Sequence, residues 1–227
     1  MHTHLELKQQ LVDAIRMLER ADIIDYNGHA SIRLDDGRML INIGSCQRSR
    51  LTTADICTID MDGQVVSGTD SGGGKPPLEF HLHAGIYRAR PDVGAVVHAH
   101  PKWSTYLTMA GVAYAPVYAQ GSLLHPVPLL DSPNSINNRT MADRLAATLA
   151  DRPAALMKSH GAVTVGKTLL EAFVLASYME ENAHRQYMAL QLGTPYAFNE
   201  HELALCREKL WSDVLFRRAW DHFHAKL

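Results

Sequence analysis

The sequence predicts an α/β fold, a sheet wrapped by helices, on three observations. The first third of the chain is dense in short β segments cut by turn dipeptides. The middle alternates apolar strand-like runs with helical stretches, and the last third carries long helical periodicity. The 227 residues are 46% hydrophobic and 20% charged, with no repeat, low-complexity tract or long polar linker. A single compact domain spanning 1–227 is therefore expected.

The elements follow in order. Residues 5–20 place Leu11, Ile15 and Leu18 on one face of an amphipathic helix. Short strands are expected at 30–34, 39–43, 56–60 and 64–67, because Asp36-Gly37 and Asp62-Gly63 are hairpin signals between them. After the loop Gly72-Gly73-Gly74-Lys75-Pro76-Pro77, residues 78–90 read as a helix with proline at its start, where a missing N–H costs little. Pro91-Asp92 ends it. Residues 93–97 form a buried strand, 102–109 a short helix, and 113–118 and 123–130 two further strands. A helix is expected over 136–150. Strands 154–157 and 162–165 flank Ser159-His160-Gly161, and 169–192 and 200–225 read as two long terminal helices. The sum is an α/β sandwich of mixed strand order.

Composition excludes several functions. A net charge of -2, with no basic stripe and interleaved aromatics, gives nucleic acid no footprint. No run approaches the ~18 apolar residues of a membrane span, and the first residues lead into a charged amphipathic stretch instead of a signal sequence. The expected location is cytoplasmic. Cys46, Cys57 and Cys206 are odd in number, widely spaced and without a CxxC pair, so they read as small core residues. Histidine is the unusual component, with 13 copies.

Two His-x-His pairs are separated by geometry. On a helix, residues two apart diverge by about 200°, so His81 and His83 do not share an ion. On a strand they share a face, so His98 and His100 project into one pocket as a chelating pair. A catalytic metal site commonly needs a third protein ligand and an open position. His160 fits best, because it follows an apolar run and precedes Gly161, which permits close backbone approach. His125 and His29 compete for the same place, and spacing alone does not rank them. Glu79 lies in the first turn of the helix after Pro77, where the dipole favours its anion. His83, four residues on, shares its face and is expected to orient it.

The stretch "PPLEFHLHAGIYRARPDVGAVVHAHP", with "SHG" some sixty residues later and "NGHASIRL" and "LTTADICTIDMDGQVVSG" earlier, resembles the class II aldolase/adducin family. That group contains fuculose-phosphate and ribulose-phosphate aldolases and epimerases. The resemblance implies a three-layer α/β/α fold with a mainly antiparallel or mixed sheet. It implies His98, His100 and His160 as ligands of one divalent ion per subunit, zinc, manganese, iron or cobalt, and Glu79 as catalytic acid/base. It also implies a four-fold homotetramer with sites at subunit interfaces, where Tyr118 reaches a neighbour's site.

The departures narrow the substrate. Phosphosugar members usually carry a GN-x-S loop, a Thr/Ser-Gly turn and two serines before the catalytic Glu, which together cradle phosphate. Here the loop is Gly28-His29-Ala30-Ser31, the turn is Ile43-Gly44-Ser45, and Pro77-Leu78 precede Glu79. Lost hydroxyl donors leave a buried dianion without partners, which is costly. Arg48 and Arg50 instead suit a carboxylate, and with His29 and Ser31 they are the candidate substrate-binding residues. This pattern resembles the family's decarboxylase branch, which acts on hydroxypyridine dicarboxylates and dihydroxyphthalate. It implies aromatic-compound catabolism with a small carboxylate substrate. An aldolase acting on a non-phosphorylated hydroxy acid or sugar is the alternative, and a non-catalytic adducin-like binding module the third reading.

Overall fold

The computed structural model describes residues 3–34, 37–66 and 74–227. Helix α1 (His4–Arg20) opens on a capping box: the Thr3 hydroxyl accepts from the Glu6 N–H, and the Glu6 carboxylate accepts from the Thr3 N–H. Its apolar stripe of Leu11, Ile15 and Leu18 is fully buried. Strands β1 (His29–Arg33), β2 (Met39–Asn42) and β3 (Ile56–Ile59) follow, then α2 (Phe80–Ala89), β4 (Ala95–Ala99) and α3 (Lys102–Met109). The two-residue β5 (Leu129–Leu130) precedes α4 (Arg139–Leu149), β6 (Ala154–Met157), β7 (Gly161–Gly166) and α5 (Leu169–Leu192). Helices α6 (Glu200–Leu210) and α7 (Asp213–His224) close the chain.

The strands form one seven-stranded sheet in the order β3-β2-β1-β4-β7-β6-β5. Every pairing is antiparallel except β5 with β6. Side chains alternate across it. Ala30, Ile32, Val97 and Ala99 pack with Leu11, Ile15, Phe173 and Leu175 from α1 and α5. On the other face, Ile41, Val96 and Val163 pack with Leu82 and Ile86 of α2 and Leu145 of α4. This is the expected α/β/α sandwich with a mainly antiparallel sheet. Among the described residues, no helix is long and apolar enough to cross a membrane.

Several expected elements differ. Asp36 and Ser67 lie outside the described residues. Of the strand expected at 64–67, one isolated bridge from Val65 to Ile59 is described. The turn before it is as expected: the Asp60 carboxylate accepts from the N–H groups of Asp62 and Gln64, and Gly63 has a φ of +84°. A Cβ at Gly63 would lie 2.3 Å from the Phe80 ring.

Residues 113–118 are not a strand. Their backbone groups pair with side chains of α5 instead: Gln186 brackets Ala113 and Ala115, while Asn182 accepts from the N–H groups of Val117 and Tyr118 and donates to the Ala115 carbonyl. Buried amides on one helix thus do the work of a neighbouring strand. The strand expected at 123–130 shrinks to β5, after a 3-10 turn at Ala119–Leu123. The last expected helix is broken at Trp211-Ser212, so that α6 covers that turn while α7 folds back on α5 and α1. Cys57 is core, whereas Cys46 and Cys206 are only half-buried, and all three are free thiols.

Candidate active site

The central strands converge on one cluster. β1 and β4 pair with His29 opposite His98, and β4 pairs with β7, whose entry turn carries His160. Gly161 is required there, since a Cβ would lie 2.3 Å from the Ala99 carbonyl oxygen and 2.9 Å from the His100 ring. Ser159 takes a left-handed φ of 53°, and its N–H donates to the Thr108 hydroxyl. That turn swings His160 onto the pair from β4.

Each of the three rings is held by its Nδ1. His98 Nδ1 is 2.9 Å from the Ala162 carbonyl oxygen, His160 Nδ1 is 3.2 Å from that of Asn134, and His100 Nδ1 is 3.1 Å from the Asp25 carboxylate. All three partners are acceptors only, so each Nδ1 carries the hydrogen and each Nε2 presents a lone pair inward. Nε2 of His98 and of His100 is buried with no hydrogen-bond partner. Two orphaned lone pairs facing one point are what a divalent ion would satisfy.

Glu79 joins them. It is the residue before α2, not part of its first turn, because the Phe80 N–H bonds back to the Pro77 carbonyl. Its side chain does not cap the helix. One carboxylate oxygen accepts from the Ile136 N–H at 2.7 Å and lies 3.7 Å from His160 Nε2, and the other lies 3.5 Å from His98 Nε2. The ligand atoms of Glu79, His98, His100 and His160 all fall within 4.8 Å of one another. This donor set fits one divalent ion, with Glu79 in reach as a fourth ligand.

Electrostatics follow from burial. Burial raises the Glu79 carboxyl, but the His29 and His98 rings, where they carry a proton toward it, outweigh burial and hold it far below the usual carboxylate range. Burial lowers His29 and His160 to about 4, and His83 well below its ordinary value. Asp25 is raised by burial but lowered further by its bond to His100, to about 2.

The other candidates divide. His29 and Arg48 line a cavity of about 940 Å³ that opens onto the cluster. Arg48 is 4% exposed, with Nε donating to the Gly28 carbonyl and Nη1 to those of Gly44 and Cys46. Arg50 is exposed and does not line the cavity, because the 3-10 turn Arg48–Arg50 points the two side chains apart. Ser31 is buried behind the cavity, bonded to His83 and Tyr87. Tyr118 lies outside its own chain's cavity, in a separate groove with Trp103 and His184, under the Arg185 guanidinium. His83 does not orient Glu79; its Nε2 meets His29 Nδ1 at 2.6 Å, so the strand residue stands between them. His125 lines a different cavity, and His81 packs on Phe80.

Asp25 is a site residue that the sequence reading missed. Its Oδ1 accepts from the N–H groups of Asn27 and Gly28, an Asx turn that sets the loop entering β1 while the same carboxylate holds His100. The signal was Asp-x-Asn-Gly immediately before a strand.

Residues 9–187 match the family described as Class II Aldolase and Adducin N-terminal domain. A 3,4-dihydroxyphthalate decarboxylase of Terrabacter sp. (strain DBF63) is 30% identical over 196 residues, covering 82% of this chain and 81% of that protein. A 5-methylthioribulose-1-phosphate/5-deoxyribulose-1-phosphate aldolase of Rhodospirillum rubrum is 30% identical over 213 residues, 91% of this chain and 92% of that one. An L-fuculose 1-phosphate aldolase from Glaciozyma antarctica PI12 shares the fold, with a TM-score of 0.85 at 22% identity, covering 97% of this chain and 87% of that one. The relatives named are lyases, and the His/Glu cluster supplies the donor set of a metal-dependent one. The chain belongs to the class II aldolase/adducin family, as a metal-dependent lyase.

Proposed function

We propose that the protein decarboxylates a hydroxy-substituted aromatic mono- or dicarboxylic acid, with His98, His100 and His160 holding the ion. The observation that carries this reading is the make-up of the cavity. One side of its rim is built of Tyr26, Pro76, Pro77, Leu78 and Pro133, with Leu78 80% exposed directly before Glu79; Ser45, Lys75 and Ser135 also line the cavity, and Arg48 lies inside. An apolar, proline-rich side facing a buried guanidinium suits the ring and carboxylate of an aromatic acid.

When bound, the ion would supply Lewis-acid polarisation of the oxygen beside the breaking carbon–carbon bond. Glu79, held ionised, takes the proton of the substrate hydroxyl and delivers it to the ring carbon as carbon dioxide leaves. That carbon exchanges a carboxylate for a hydrogen, and the phenolate regains its proton from water. Arg48 has Nε and Nη1 committed to backbone carbonyls, and among the described residues Nη2 has no such partner, which leaves that edge for a second carboxylate. The contact is one-pronged, not the bidentate grip that arginine otherwise offers. A neutral three-imidazole set suits zinc, iron or cobalt, and binds manganese more weakly. In the four-fold assembly that the family resemblance implies, the outward placement of Tyr118 supports a role in a neighbour's site.

The test is carbon dioxide release across a panel of ortho-hydroxy aromatic acids with several divalent metals. Release with an aromatic product is expected. An aldehyde product from a hydroxy acid or sugar, with no release from the panel, would make the protein an aldolase. Absence of both, with no metal in the purified protein, would leave a binding module.

A further inference from the structure

Behind Glu79 runs a line of buried polar side chains that the proton shuttle does not use. His29 Nδ1 is 2.6 Å from His83 Nε2, His83 Nδ1 is 2.6 Å from Ser31 Oγ, and Ser31 Oγ is 2.7 Å from the Tyr87 hydroxyl. β1 supplies His29 and Ser31, two apart on one strand face, and α2 supplies His83 and Tyr87, four apart on one helix face. None is more than 2% exposed. At the outer end, His29 Nε2 is buried on the cavity side, without a hydrogen-bond partner and 3.9 Å from Glu79 Oε2.

Counting hydrogens fixes the direction of this chain. Neutral, it holds four: one on each hydroxyl and one on each imidazole. Three contacts join the members, and each uses one hydrogen. Run inward, from His29 to His83 to Ser31 to Tyr87, the chain strands the fourth on the phenol, whose further contact, with the Val96 backbone N–H, offers a donor and no acceptor. A mixed run, with His83 and Tyr87 both donating to Ser31, strands it on the Ser31 hydroxyl instead, and an unpaired buried hydroxyl is costly in either case. Run outward, Tyr87 donates to Ser31, Ser31 to His83 and His83 to His29, and the fourth hydrogen emerges on His29 Nε2 at the cavity wall. There a ligand can meet it.

We propose that His29 is a neutral N–H donor to an anionic oxygen of the substrate, and that Tyr87, Ser31 and His83 are positioning residues that fix its tautomer from behind. The substrate contact rests on the reading of the cavity as a site for a hydroxyaromatic carboxylate. The tautomer does not.

The two parts are therefore tested separately. In metal-free, ligand-free protein labelled with ¹⁵N-histidine, NMR correlations distinguish protonated from bare ring nitrogens, with peaks assigned through His29→Gln and His83→Gln. Both rings should carry the hydrogen on Nε2, and Ser31→Ala, folded by circular dichroism, should show His29 as a mixture of tautomers. A hydrogen on His29 Nδ1, or an unchanged His29 in Ser31→Ala, overturns the positioning chain whatever the activity. In zinc-reconstituted protein, His29→Leu should weaken calorimetric binding of salicylate by roughly 10- to 100-fold, the scale of a hydrogen bond to a charged group, while His29→Gln restores much of it. Equal affinity of His29→Leu and the unsubstituted protein overturns the contact. Failure of the unsubstituted protein to bind salicylate refutes the substrate class and the contact with it, and the tautomer measurement still judges the chain of hydrogen bonds.

Discussion

Glu79→Gln separates proton transfer from metal holding. The Glu79 carboxylate has two jobs in the structure: one oxygen accepts from the Ile136 N–H at 2.7 Å, and the other faces His98 Nε2 at 3.5 Å. Glutamine keeps an oxygen for Ile136, so the 134–136 segment, which also holds the His160 ring through the Asn134 carbonyl, stays in place. Alanine would instead leave that N–H without its partner, at a cost of about 1–3 kcal/mol, and confuse folding with catalysis. Three imidazoles remain, so the glutamine variant should still retain a divalent ion, although it loses an anionic ligand in reach of the cluster. It cannot carry a proton. General acid/base catalysis contributes roughly 10²- to 10⁴-fold, so kcat should fall by that factor, or about 3–5 kcal/mol of barrier. His98→Ala, by contrast, should lose ion and activity together. Metal content by plasma emission, set beside carbon dioxide release on the same preparations, decides the matter. Full turnover in Glu79→Gln would refute the shuttle, and loss of its metal in proportion to its activity would reassign Glu79 to ligation alone.

Three further perturbations follow from the same contacts. Asp25→Asn keeps an acceptor for the Asx turn but removes the charge behind His100, and should weaken metal affinity roughly 10- to 100-fold in competition with a chromogenic chelator; unchanged affinity would show that the carboxylate does not tune the ligand. Asn182→Ala orphans the N–H groups of Val117 and Tyr118 and the Ala115 carbonyl. At about 1–2 kcal/mol each, that is about 3–6 kcal/mol, or roughly 6–24 °C in Tm by calorimetry, and a shift under about 2 °C would mean that the segment is held elsewhere. In metal-free protein, His29 is lowered by burial from 6.5 to about 4, so the unfolded chain takes up its proton at higher pH than the native one. Stability is then complete above about pH 6.5 and falls by about 3 kcal/mol as the pH drops through 4, with His160 acting in the same direction. Urea titrations of chelator-treated protein between those limits check the sign, and stability that rises on acidification would contradict neutral burial.

What could be read in the sequence was whatever depends on local period. A strand repeats every two residues, so His98 and His100 declared themselves a pair, and Gly161 declared a close approach that the Ala99 carbonyl makes literal. What could not be read depends on which element comes to lie between two others. The i, i+4 relation correctly set Glu79 and His83 on neighbouring turns, but only the sheet register reveals that His29 stands between them. Arg48 and Arg50 looked equivalent in sequence, and a single 3-10 turn buries one and exposes the other. Residues 113–118 form an apolar run that reads as a strand, with Pro116 as a local signal against it. The partners that replace the strand lay about seventy residues away, in the polar Asn182 and Gln186 on the buried side of α5.

The same division separates the His/Glu cluster from the rim of the cavity. The cluster residues come from β4 and the residue that follows it, from the turn into β7 and from the residue preceding α2, and β1 lies in register alongside. These elements are fixed by the core on both faces of the sheet, so a ligand atom among them moves only if the sheet moves. The rim comes from connecting segments at 44–48, 74–78 and 133–135, which carry almost none of that core. Substitutions at Pro77 or Leu78 on such a segment would change the lining beside the cluster without disturbing the cluster's own geometry. His29 is the exception, a pocket residue mounted on the sheet itself. Its donor is consequently held by the same rigidity as the metal ligands, which is why the buried chain behind it can set a tautomer at all.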